Sequence, residues 1–146
     1  MAETRIERWP GFRIVGVSLR TTNQRELETP RLEELWTQFR RKKLLTIPHP
    51  AEPGTIYSAY VDYESDFRGP YTAIVGTRVT QVEAVPTGMM AKDINAGRYA
   101  VFEAADPSEI VATWVRIWRT DLNRAYLTDF ERHRPGNIEI FVGLRD

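Results

Sequence analysis

The sequence contains no cysteine and only two histidines among its 146 residues. That excludes a disulfide framework, a thiolate-held metal and a cysteine nucleophile, and it leaves little for an imidazole-based metal centre. Net charge is missing as well. The 20 Lys+Arg cancel the 20 Asp+Glu, so no overall positive field attracts a nucleic-acid backbone or an anionic membrane. No apolar run approaches the roughly 20 residues of a membrane span, and the opening Met1-Ala2-Glu3-Thr4-Arg5 leads into charged residues instead of the apolar stretch of a secretion signal. These absences predict a cytoplasmic protein with no direct nucleic-acid or membrane partner, no metal and no cofactor. The length fits one domain over residues 1–146. What is abundant is aromatic: four Trp, six Tyr and six Phe exceed what the core of so small a domain requires.

Two segments carry helical periodicity. Leu32, Leu35, Trp36 and Phe39 fall on one stripe, with Arg31, Glu33, Glu34, Arg40 and Arg41 on the other faces. Thr29-Pro30 is read as the start of that helix, and the run Arg40-Arg41-Lys42-Lys43 as a solvated end matched to the negative pole of the helix dipole. In the second segment Ile110, Val111, Trp114, Val115, Ile117 and Trp118 form a wide apolar stripe behind Asp106-Pro107-Ser108-Glu109, an N-cap acid followed by proline and then glutamate. The two cap-proline pairs stand about half the chain apart.

Strand-like segments repeat around them. Residues 12–20 precede the first helix and residues 55–63 and 71–79 follow it; residues 98–104 precede the second, and 125–132 and 138–144 follow it. A doubled strand-helix-strand-strand unit predicts an α+β fold: one antiparallel sheet, two helices on one face, and a ligand cleft between the halves. The loops at Thr46 to Gly54 and around Pro86-Thr87-Gly88 join elements within that fold.

In the last strand, alternation sends Ile138, Ile140, Val142 and Leu144 toward the helices and Glu139 and Phe141 to the other face. A carboxylate near the middle of a sheet needs a partner or a purpose. The aromatic residues cannot all occupy the helix-packed face, so some are expected to line the opposite one around Glu139. Rings surrounding one acid suit a lipophilic cation, because ring faces attract positive charge. The expected ligand-binding set is Glu139 with Trp36, Tyr60, Tyr71, Trp114, Tyr126 and Phe141.

Other constellations are weaker. Asp62-Tyr63-Glu64-Ser65-Asp66 opens like a calcium loop, but Phe67 stands where glycine is needed and Ala73 where the bidentate glutamate belongs. Asp129 and Glu131 share one strand face, an arrangement common on exposed strands and seldom an acid/base pair. His49 and His133 have no partner at motif spacing and are read as surface residues. There is no glycine-rich phosphate loop, Gly-x-Ser-x-Gly elbow or zinc-binding helix motif, and no catalytic residue is assigned.

The segments Ile56-Tyr57-Ser58-Ala59-Tyr60-Val61-Asp62-Tyr63-Glu64-Ser65-Asp66, Tyr71-Thr72-Ala73-Ile74-Val75-Gly76 and Ile94-Asn95-Ala96-Gly97-Arg98-Tyr99-Ala100-Val101-Phe102 resemble the GyrI-like effector-binding superfamily. With Arg124 to Glu131 and Ile138 to Val142 added, the set is most similar to its integron-cassette members. The resemblance implies a tandem fold with a pocket between the halves, as in the drug-sensing domains of AraC-type and MerR-type regulators. It also implies bulky, often cationic aromatic ligands held by aromatic walls and one acid, mapped to Glu139 with Glu131 in reserve. This sequence departs from the pattern at Val142-Gly143-Leu144, where many members have isoleucine-proline, and at Asn95, which replaces a proline. The expected role is a stand-alone sensor or sequestering protein, with a homodimer or a regulator as possible protein partner. The alternative is a hydrolase of strained, cyclopropane-bearing compounds, as some stand-alone relatives are.

Overall fold

Eight antiparallel strands form a single sheet in the computed structural model, which describes residues 5–29, 31–42 and 47–145. In chain order the elements are β1 (Arg5–Trp9), β2 (Phe12–Thr21), α1 (Asn23–Glu28), α2 (Leu32–Lys42), β3 (Ile56–Val61), β4 (Tyr71–Val79), β5 (Met90–Ile94), β6 (Gly97–Ala104), α3 (Ile110–Arg119), β7 (Arg124–Arg134) and β8 (Asn137–Leu144). A short 3-10 turn, Pro107–Glu109, leads into α3. The sheet order is β1-β6-β8-β7-β3-β4-β2-β5. Within it the two expected repeats stand back to back, β7-β8-β6 against β3-β4-β2, and meet where β3 pairs with β7.

Three elements were not expected. β1 and β5 are short edge strands with half-exposed patterns, and each adds one rung to the outside of a repeat. α1 is capped by Thr22, whose side chain accepts the Arg25 N–H. The first turn of α2 is capped through the chain fold: Glu26 Oε1 accepts the backbone N–H groups of Arg31 and Leu32, each at 2.8 Å. The Pro30, Lys43 and Thr46 readings lie outside the described residues. The second cap is as expected, with Asp106 accepting the Ser108 N–H at 2.9 Å.

The helices lie on one face. α2 packs Leu35 and Phe39 onto Val15, Val17, Ala73 and Val75, and α3 packs Ile117 onto Ala100, Phe102, Ile140 and Val142. The last strand therefore presents its aliphatic side to the helices as its alternation predicts.

On the other face the protein's own rings fill the space beside Glu139, so the expected hollow around it is not found among the described residues. An opening of about 760 Å³ on that side lies at the rim, lined by Phe12, Glu52, Arg78 and Arg132. Phe12, Tyr57, Tyr99, Phe130 and Phe141 form one buried cluster with Trp9 packed against it. Phe130 stacks on Phe141 with ring centroids 4.4 Å apart, and Phe12 meets Phe130 at 5.3 Å. Phe12 and Phe130 belong to strands three positions apart, which in a flat sheet at about 4.8 Å per strand would separate them by roughly 14 Å. Their contact requires the sheet to curl strongly over this face. Gly16 and Gly76 sit opposite each other in the β2–β4 pair, where a Cβ on either would meet a backbone oxygen at 2.1 Å. Such close approach admits only glycine at both positions.

Candidate functional site

The cavity lies on the helix-covered face, between α2, α3 and the junction of the two repeats. It has a volume of about 720 Å³, and its walls include Trp36 and Arg40 of α2, Trp114 and Trp118 of α3, and Tyr60, Tyr71, Glu131 and His133 from the sheet. The wide stripe of α3 explains why space is left. Ile117 reaches the core, whereas Val111 stays 61% exposed at the cavity edge.

Glu131 forms the floor. It is only 2% exposed. The Tyr60 hydroxyl and the Trp114 Nε1–H both donate to its Oε2, each at 2.7 Å, and His133 Nε2 lies 2.7 Å from its Oε1. Among the described residues its only ion-pair partner is His133. The strand pairing creates this arrangement: Tyr60 faces Asp129 and Ser58 faces Glu131, so Tyr60 and Glu131 are diagonal neighbours on one side of the β3–β7 pair. A phenol, an indole and an imidazole occupy the carboxylate oxygens, and none of the three is a permanent cation.

The walls follow from the same alternation. Tyr60 meets Tyr71 and Trp114 edge-on at centroid distances of 5.7 and 5.4 Å, and Trp36 packs on the His133 ring at 4.5 Å. Burial, then the nearby Glu131 charge, pushes the Tyr60 phenol well above its ordinary pKa. Tyr71 is also raised, by burial and then by Glu26 and Glu131. Both remain neutral hydrogen-bonding phenols at physiological pH.

A second buried acid, Asp129, stands beside the site. It accepts from Arg124 at 2.7 Å, Tyr63 at 2.6 Å and the Gly143 N–H at 2.8 Å. The β-bulge between Arg124 and Asp129 turns the strand so that the two can pair. Tyr126 lies within this bulge at φ 54° and covers the Arg124 guanidinium at 4.4 Å.

Of the seven residues expected to bind ligand, Trp36, Tyr60, Tyr71 and Trp114 line the cavity together. Tyr126 backs Arg124 outside the set of lining residues. Phe141 is fully buried in the closed face. Glu139 is on that face too, 3% exposed, and it accepts from Arg132 at 2.7 and 3.0 Å, Arg5 at 2.8 Å and Arg134 at 2.9 Å. Its partner is internal, because the curl of the sheet closes its side. Glu131, the reserve acid, takes the place at the cavity. His133, read as a surface residue, has a side chain only 15% exposed and turned toward Glu131. The available signal was the strand Arg124–Arg134: Asp129, Glu131 and His133 share its helix-facing side, opposite a helix carrying two tryptophans.

Among the described residues, no group of three or more His, Cys, Asp or Glu is placed to hold a metal ion, and no helix is long and apolar enough to cross a membrane.

Comparison with known proteins agrees with this architecture. An integron cassette protein of Vibrio cholerae superposes with a TM-score of 0.81 at 28% identity, covering 97% of this chain and 95% of that one. SAV2435, in a structure bound to tetraphenylphosphonium, has the same fold with a TM-score of 0.71 at 15% identity, over 98% of this chain and 94% of its own. A Bacillus subtilis (strain 168) protein named "Putative transcriptional regulator protein YobU" is 33% identical over 91% of this chain and 92% of its own length. The model of the integron-associated effector binding proteins, Cass2, matches residues 5–144, and the chain belongs to that family.

Proposed function

We propose that the chain binds a bulky lipophilic cation in the cavity between its helices, with Glu131 as counter-charge and Trp36, Tyr60, Tyr71 and Trp114 as walls. The observation that carries this reading is a buried carboxylate held by a phenol, an indole and an imidazole, at the floor of an aromatic cavity of about 720 Å³. Its negative charge is not matched by any arginine or lysine among the described residues. A cation whose hydration is weak gives up little on entering, gains the carboxylate, and gains roughly 0.5 to 2 kcal/mol from each ring face it covers. The volume lies within the range of drug-sized ligand sites. The tetraphenylphosphonium carried by SAV2435 is a molecule of this class, and the relationship to YobU is consistent with a sensing or sequestering role.

The test uses two ions of one shape and opposite charge. Tetraphenylphosphonium is expected to quench tryptophan fluorescence with a Kd in the micromolar range, and tetraphenylborate to bind at least about tenfold more weakly, a difference of about 1.4 kcal/mol. Equal affinity for the two would overturn the reading, since only the sign of the charge distinguishes them.

A further inference from the structure

Glu131 presents its two oxygens unequally. Oε2 is occupied by two donors that stay neutral at physiological pH, the Tyr60 hydroxyl and the Trp114 indole. Oε1 has one side-chain partner, His133 Nε2 at 2.7 Å. The imidazole also packs on Trp36 at 4.5 Å, with a side chain 15% exposed. It is the one partner of this carboxylate whose side chain can become a cation by taking up a proton.

We infer that His133 is a specificity residue of this site: cation uptake requires it neutral, so the cavity exchanges a proton for its ligand. This rests on the cation reading above. A neutral His133 donates its Nε2–H and leaves the negative charge of Glu131 in place. A protonated His133 cancels that charge at hydrogen-bond distance and adds a positive one to the wall the cation must approach. The surrounding charges do not reverse this. On its own strand the facing group is Glu131, and from β3 it is the Tyr60 phenol. α1 contributes the Glu26 carboxylate, β4 the Tyr71 phenol and the loop after β3 the Tyr63 phenol, and α2 contributes Glu33 and Arg40, whose guanidinium lies 5.2 Å from the Trp36 ring. α3 contributes the uncharged Trp114, and Arg124 is paired with Asp129.

Tetraphenylphosphonium is the suitable probe because its own charge does not titrate. Wild-type affinity is expected to fall roughly tenfold on acidification from about pH 7.5 to about pH 5.5, as the imidazole takes up a proton. The variant His133→Gln, which keeps a donor but no titratable group, is expected to stay constant within about twofold. Independently of any variant, calorimetry of the wild type near pH 6 in buffers of different ionisation enthalpy should show release of most of one proton per ligand bound. Binding with a flat pH profile and no proton release would overturn the inference alone. Absence of binding at every pH would overturn the cation site with it.

Discussion

Two buried glutamates occupy opposite faces of the same sheet, eight positions apart in sequence, and they are held in different ways. Glu139 is held by the guanidinium groups of Arg5, Arg132 and Arg134 on a face closed by Trp9, Phe130 and Phe141. Glu131 is held by a phenol, an indole and an imidazole, next to open space. Burial is nearly the same, 3% and 2% exposed. The partners differ, and partners decide whether a buried charge is neutralised inside the fold. Arg132 also lies over the Trp9 and Phe141 rings at 5.0 and 5.6 Å, so on the closed face the cation over aromatic rings belongs to the protein.

The largest effect expected from this division is alkaline. Phenols are held neutral on both faces. Burial, then Glu52, pushes Tyr57 up to about 12, and Tyr60, Tyr63, Tyr71 and Tyr99 are raised as well. A phenol with a folded-state pKa above its unfolded value contributes stability fully below the unfolded pKa of about 10, and that contribution is lost as pH rises through the folded value. Absorbance near 295 nm should show these phenols ionising together with loss of near-ultraviolet dichroism, starting above about pH 10. Ionisation of Tyr60 and Tyr71 in a folded protein would mean that the cavity is wetter than its geometry indicates.

The next effect separates the faces. Glu139→Ala leaves three guanidinium groups without their shared acceptor and is expected to lower stability in urea by about 3 kcal/mol, with tetraphenylphosphonium binding retained at temperatures where the variant is folded. A loss below about 1 kcal/mol would show that the cluster is solvated and that Glu139 is not an internal counter-ion.

Much of this was legible in the sequence because local rules govern it. The doubled strand-helix-strand-strand order follows from periodicity and caps, and Ile140 and Val142 face Ile117 as alternation requires. Trp36, Tyr60, Tyr71 and Trp114 share a cavity, but on the helix-covered face beside Glu131 and not around Glu139 on the face where the sequence reading expected them. The choice of acid was not legible. Alternation places Glu139 on one face and Glu131 on the other, but which face is hollow depends on sheet curl. That curl brings Phe12 onto Phe130 across three strands. Around Glu139, Arg132 and Arg134 come from the neighbouring β7, but Arg5 comes from β1. The contacts of Phe12 and Arg5 are long-range and leave no local periodic signal. His133 was misread for a related reason, because its partner lies two residues away on the same face and the burial of both depends on α2 and α3.

The most direct measurement is the tetraphenylphosphonium dissociation constant of Glu131→Gln beside that of Glu139→Gln, each checked for folding by circular dichroism. Replacing the cavity carboxylate by its neutral isostere should weaken binding tenfold or more, about 1.4 kcal/mol, while the same change at Glu139 should leave it within about twofold. Unchanged affinity in Glu131→Gln, or a loss confined to Glu139→Gln, would contradict the assignment of the free charge to the helix-covered face.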